Sequence, residues 1–200
     1  MSTLRVMNLQ NASGTGTITV PTGNSLTSAD AGGIYTRGQV MQVVVNRVDT
    51  KLAYSIGGSG NEFTDLRVSI TPKFANSMIL CTFQVHGEGS ATHDYIMRVY
   101  KNGALPSGAY AGYNSVSGLV SYSGIASPMP YETDYSSTPF TQTMHYHDFP
   151  GNTSTTTYAP GVTDSAGTAR TYYINRTVGS TGTSGHETGV SFSIAMEVAQ

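Results

Sequence analysis

Apolar and polar residues alternate with a period of two along three stretches of this chain. Leu66, Val68 and Ile70 interleave with Arg67 and Ser69. Ile79, Cys81, Phe83 and Val85 form one row, and Thr82, Gln84 and His86 form most of the other. Near the C-terminus Val190, Phe192, Ile194, Met196 and Val198 make a third row. Successive side chains of a strand point to opposite faces, so each stretch predicts an antiparallel strand half-covered by a second layer. The apolar row is the side expected beneath that layer.

Val40–Val48 differs, being apolar on both faces, and is expected to be a central strand or one buried against another subunit. Val40, Val44 and Val48 are the residues expected to bury against partners. Asp49-Thr-Lys51 then reads as a turn into a strand over Leu52–Ile56. Tyr95–Lys101 is another strand, closed by Asn102-Gly103, the pair that supplies the two positive φ values of a type I′ hairpin turn. Met144–Phe149, Thr155–Tyr158 and Tyr172–Asn175 complete the candidates. No window repeats apolar residues at i, i+3, i+4 and i+7, so helices are not expected. The 23 glycines and 8 prolines interrupt the chain every few residues. Roughly seven to nine short strands without helices describe an all-β sandwich or barrel.

The first twenty-three residues stand apart. Their apolar residues are sparse, Leu4, Val6, Leu9, Ile18 and Val20 among Ser, Thr, Asn and Gly. Such a segment exposes too little apolar surface to offset its own ordering entropy. It reads as a docking arm, completed by a neighbouring molecule. A boundary near Gly38 divides the chain into an arm over 1–38 and a β-sandwich over 39–200.

Composition narrows the partners. Charged residues are 11% of the 200, with a net charge of -2, which argues against a basic nucleic-acid surface. No apolar run approaches the length of a membrane span. The single cysteine, Cys81, sits in an apolar strand row and reads as a buried small residue rather than a nucleophile.

The chemistry-bearing residues each have a plain structural reading. His145 and His147 share one face of a strand and are the metal candidate, and a three-fold axis would multiply two ligands to six. A solvated or Ser/Thr-bonded face is preferred, because two imidazoles without a third ligand rarely define a site. Asp148 is expected to cap the turn before Pro150-Gly151. His86, Glu88, His93 and Asp94 read as solvated residues at strand ends. Glu132 and Asp134 are a carboxylate pair in a tyrosine-rich stretch, but proximity in sequence does not make a glycosidase cleft. Gly57-Gly-Ser-Gly60 lacks the Lys and helix of a phosphate loop and reads as a turn. Asn11, Asn152 and Asn175 each open an Asn-x-Ser/Thr triplet. Tyr110, Tyr113, Tyr122, Tyr131 and Tyr135 lie in the long interval Ser107–Pro139, where aromatic faces suit either a glycan or a subunit interface.

Several blocks, taken in order, resemble a family of small virion structural proteins of marine bacteriophages. They are Asn8–Asn24, Ile70–Leu80, Arg98–Gly103, Asp148–Tyr158, Tyr173–Arg176 and Ile194–Gln200. The resemblance implies a jelly-roll-like antiparallel β-sandwich and a homotrimer located in the virion. It also implies neither catalytic residues nor a cofactor. It implies a tail-fibre-like or head-decorating component; with the arm and the tyrosine-rich interval, the expectation is a fibre-like appendage held by its N-terminal arm to tail, collar or capsid proteins and able to contact a host surface glycan. A capsid decoration (cement) protein is the alternative, and a glycan-active depolymerase the second.

Overall fold

The computed structural model describes residues 22–23, 35–56, 60–106, 126–128, 137–164, 169–180 and 185–200. The chain divides into two units, Met1–Tyr35 and Thr36–Gln200. The second unit is an all-β, antiparallel, jelly-roll-like sandwich. Its strands are β1 (Val40–Val48), β2 (Leu52–Ile56), β3 (Asn61–Glu62), β4 (Val68–Ile70), β5 (Met78–Gly89) and β6 (Tyr95–Lys101). They continue as β7 (Ala126–Pro128), β8 (Phe140–Asp148), β9 (Thr156–Asp164), β10 (Arg170–Ile174) and β11 (Ser191–Val198). The helical residues among those described are confined to two single 3₁₀ turns, Thr64–Leu66 and Gly185–Glu187.

The larger sheet has 6 strands in the order β1-β11-β5-β10-β2, with β8 also paired to β5. Gly87 on β5 pairs with Phe140 of β8 and with Ile174 of β10, so β10 shares an edge of β5 with β11 and β8 takes the other. The smaller sheet has 5 strands, β3-β9-β6-β7, with β4 joining β9 beyond β3. Every pairing is antiparallel, as one-sided alternation requires.

The core lies between the sheets. Ile79, Cys81, Phe83 and Val85 of β5, with Met144 and Tyr146 of β8, face Val68, Ile70, Met97, Val99, Tyr158 and Val162 from the other layer. Burying each such aliphatic or aromatic side chain contributes about 1.5–3 kcal/mol. At one end an aromatic run, Tyr54 to Phe63 at 5.0 Å, Phe63 to Tyr172 at 5.5 Å and Tyr172 to Tyr95 at 5.7 Å, ties β2, β10 and β6 together. The hairpin after β6 forms as its sequence predicts: Asn102 and Gly103 have φ of 52° and 77°. Gly161 on β9 is required by close approach, since a Cβ there would lie 2.3 Å from the Asn61 carbonyl oxygen.

Three expectations are corrected. The central-strand alternative for Val40–Val48 falls, since β1 pairs among the described residues with β11 alone and stands at the edge of the described sheet. Val44 and Val48 turn inward onto this chain's own core, while Val40, Val43 and Val45 are the exposed residues. The stretch Leu66–Ile70 is a strand only from Val68, because Thr64–Leu66 tightens into a 3₁₀ turn that buries Leu66.

The third correction is the largest: β11 is turned over. Ser191, Ser193, Ala195 and Glu197 are its buried row, and Phe192, Ile194 and Met196 lie half-exposed on the outside. Register explains it. Ser193, Ala195 and Glu197 pair with the inward Phe83, Cys81 and Ile79 of β5. Directly opposed residues share a face, and stacked sheets sit about 10 Å apart, so small side chains on β11 leave space for Phe83. Each polar member of the row has a partner. Ser193 Oγ donates to the Leu66 carbonyl at 2.6 Å, and Ser191 Oγ donates to Asn175 Oδ1 at 2.7 Å.

Candidate functional site

The inversion of β11 gives the larger sheet an apolar outer face. Pairing sets out its rows. Val43 of β1, Met196 of β11, Leu80 of β5 and His147 of β8 line up across four strands. Val45, Ile194, Thr82 and His145 form the next row, followed by Arg47, Phe192, Gln84 and Thr143. Val43 is 52% exposed and Val45 57%, and Leu80, Phe192, Ile194 and Met196 are half-buried. In these rows the one formally charged side chain is Arg47, paired with Asp49 at 2.9 Å. The result is an uncharged patch of six apolar residues, bounded on the β8 side by threonines and histidines.

A shallow groove of about 290 Å³ runs along the β8 border of this patch, lined by Leu80, Thr82, His145, His147 and Met196. The His145 ring meets Thr82 through Nδ1 and Oγ1 at 3.1 Å. His147 stands edge-on to Phe149, with ring centroids 6.3 Å apart. Both histidines are exposed on the outer face. Among the described residues no group of three or more His, Cys, Asp or Glu is placed to hold a metal ion.

Several other sequence candidates lie inside the protein as clasps. Asp148 does not cap the following turn. It is buried, accepting from Tyr158 Oη at 2.6 Å and meeting Lys101 Nζ at 2.6 Å. Inward-facing β8 residues end at Asp148, so its side chain enters the core, and Asn152 closes the turn by accepting from Ser154 N at 2.8 Å. Burial and the hydrogen bond to Asp148 push the Tyr158 phenol well above its usual range. Burial, then the Asp148 charge, do the same to the Cys81 thiol, which is 2% exposed.

Glu88 is likewise corrected from a solvated strand end to a fully buried residue. Its carboxylate accepts from the backbone N–H groups of Thr138 and Val178, holding two chain segments against β5. Asn175 is buried with φ of 61° and donates to the carbonyls of Val48 and Thr50. His86 packs against Gly189 and shares a hydrogen bond with Thr141 at 2.9 Å, and burial lowers its imidazole below the usual range.

Leu4, Val6, Leu9, Ile18, Val20, Tyr110, Tyr113, Tyr122, Tyr131 and Tyr135 lie outside the described residues, as do Asn11, Glu132 and Asp134. Sequence reasoning missed the outer patch and the buried Glu197. The small side chains of Ser191, Ser193 and Ala195 mark the row that fits a narrow gap, but the width of that gap is set by the opposite layer and is not written in the local sequence.

No family model matches the chain, and no curated protein is detectably similar to it. Among solved structures, a chain described as "Structure of infectious bursal disease virus Gx strain" is similar at 13% identity, covering 88% of this chain, with a TM-score of 0.30. This chain spans 47% of that one.

Proposed function

We propose that this chain is a structural subunit of a bacteriophage virion: a trimeric, fibre-like appendage held by residues 1–38 and directed toward the host surface. The observation that carries the assembly part is the outer face of the larger sheet. Patches of aligned, uncharged apolar residues on a soluble fold mark surfaces made to be covered. Polarity that could have kept this face wet is instead spent inside, on Ser191, Ser193 and Glu197. The virion placement rests on the ordered sequence blocks that resemble phage structural proteins. A low charge content suits a subunit whose contacts are many and permanent rather than electrostatically steered.

The test is a density map of the phage particle with this chain traced in it. The expected result is the sandwich on the tail or collar in threes, with residues 1–38 against a neighbouring virion protein. A position on the capsid lattice would replace the fibre reading with decoration. Absence from the particle would overturn both. Release of sugar from host envelope glycan by purified protein would favour the depolymerase instead.

A further inference from the structure

We infer that the apolar corner formed by β1 and β11 is the surface through which copies of this chain meet, and that its occupant is a second copy of the same sandwich. The inference rests on the assembly reading above and names the partner of that surface.

Charge is the first argument. Val43, Val45, Leu80, Phe192, Ile194 and Met196 present no ionisable group, and Arg47 at their border is already paired with Asp49. A partner recognised by charge would find nothing to pair with. An apolar surface set against its own copy buries no unpaired charge, and copies packed about a shared axis bring the same surface together there. Interface centres have the same signature, depleted of charge and enriched in aromatic residues and Met.

Area is the second. Two valines exposed by 52% and 57%, with Val40 at 48% beside them, dominate the accessible surface of the corner. With the four half-buried side chains, each copy offers roughly 400 Å², about half of the ~800 Å² that each partner contributes to a standard interface. Flanking residues of β1 and β11 supply the remainder.

The edge itself is the third. β1 runs nine residues, Val40–Val48, and pairs among the described residues with β11 alone. Natural edges are guarded by Lys, Pro or inward charges. β1 itself has no Lys or Pro and no inward charge; its guards sit toward its ends, where a register irregularity lies between Val40 and Gln42, Lys73 Nζ meets the Met41 carbonyl at 3.4 Å and Arg47 carries a charge on the outer face. Between those guards the stretch over residues 43–45 has no second strand beside it among the described residues, and the same contact would cover it.

The experiment measures mass by light scattering and sedimentation on the full chain at micromolar concentration, comparing wild type with Val43→Lys, Ile194→Asp and Thr143→Lys. Thr143 lies on the same outer face but outside the corner. Wild type and Thr143→Lys should associate, while Val43→Lys and Ile194→Asp should be monomers, their self-affinity weakened by roughly 100-fold. Thermal melts check folding. If Ile194→Asp fails to fold, Val43→Lys decides, because its side chain enters from an exposed edge position. A monomeric wild type overturns the inference, and so does association that survives Val43→Lys. A chain found in the particle but monomeric in solution would refute this interface while leaving the virion reading intact.

Discussion

Replacing Glu197 tests the inverted strand directly. Glu197 is 0% exposed, yet no cation pairs with it among the ion pairs described. Its Oε1 accepts from Lys73 N at 2.7 Å, Phe74 N at 3.2 Å and Ser77 Oγ at 2.7 Å. Its Oε2 accepts from Gln42 Nε2 at 2.6 Å. Burial alone would raise this carboxyl, but the donors of Ser77, Gln42, Lys73 and Phe74 outweigh it and hold it below the usual range. Hydrogen bonds to a charged group contribute about 1.5–3 kcal/mol each, and backbone donors near the surface recover part of that from water when the acceptor goes. Glu197→Ala should therefore lose about 3–4 kcal/mol. Glu197→Gln keeps one acceptor oxygen but turns an N–H₂ toward the Gln42 amide, for a loss of about 1–2 kcal/mol. The folded carboxyl titrates below its unfolded value of 4.5, so its contribution is present above that pH and lost as pH falls through the folded value. The gap between wild type and Glu197→Gln should thus be largest near neutrality and close in acid. Urea unfolding followed by tyrosine fluorescence suits a chain with 13 tyrosines and no tryptophan. Equal midpoints for the two proteins at neutral pH, or parallel loss of stability from neutrality into acid, would refute the reasoning.

Other expectations follow from the same coordinates. Cys81 should resist a thiol reagent in the native protein at mildly alkaline pH and react fully in denaturant, because burial and Asp148 disfavour its thiolate; rapid native labelling would contradict the packing. Gly161→Ala places a methyl 2.3 Å from a backbone oxygen and should cost about 3 kcal/mol, seen as a melting temperature lower by roughly 10 °C. Burial keeps the His86 ring neutral in the folded state while the unfolded chain takes a proton near pH 6.5. Stability should therefore fall as pH drops below that value, and His86→Asn should flatten that part of the profile.

The sequence was most legible where one face of a strand carries all the bulk. Ile79, Cys81, Phe83 and Val85 go inward as their spacing predicts. Asn102-Gly103 turns as its φ requirements demand, since few other pairs tolerate two positive values. Legibility failed where the deciding term was non-local. Val40–Val48 is apolar on both faces, which describes a central strand and an edge strand awaiting a partner equally well. Asp148 read as the cap of the turn beside it, Glu88 read as solvated because a polar residue near a strand end ordinarily is, and nothing in the sequence marked Asn175 as a buried clasp. Their partners, Tyr158 and Lys101, Thr138 and Val178, and Ser191, lie too far along the chain or in backbone groups that no spacing rule reveals.

β11 shows why period two alone could not orient the strand. Alternation identifies two faces, but which is buried depends on the volume left by the layer opposite and on the donors waiting there. The 3₁₀ turn at Thr64–Leu66 offers a carbonyl to Ser193, and the turn before β5 offers three donors to Glu197. A slip of one residue would bury Phe192, Ile194 and Met196 but strand those groups without partners. Leaving buried polar groups unmet costs about 1–3 kcal/mol apiece, comparable to the gain from each apolar side chain. The slip would also set large side chains against Phe83 in a gap already filled. Polar satisfaction and volume together outweigh simple hydrophobic sorting. The displaced apolar row then lies outside, next to a strand that pairs among the described residues with β11 alone. The bonds that lock the strand against the core are thus the reason an apolar surface remains on the outer face, where the proposed contact between copies would form.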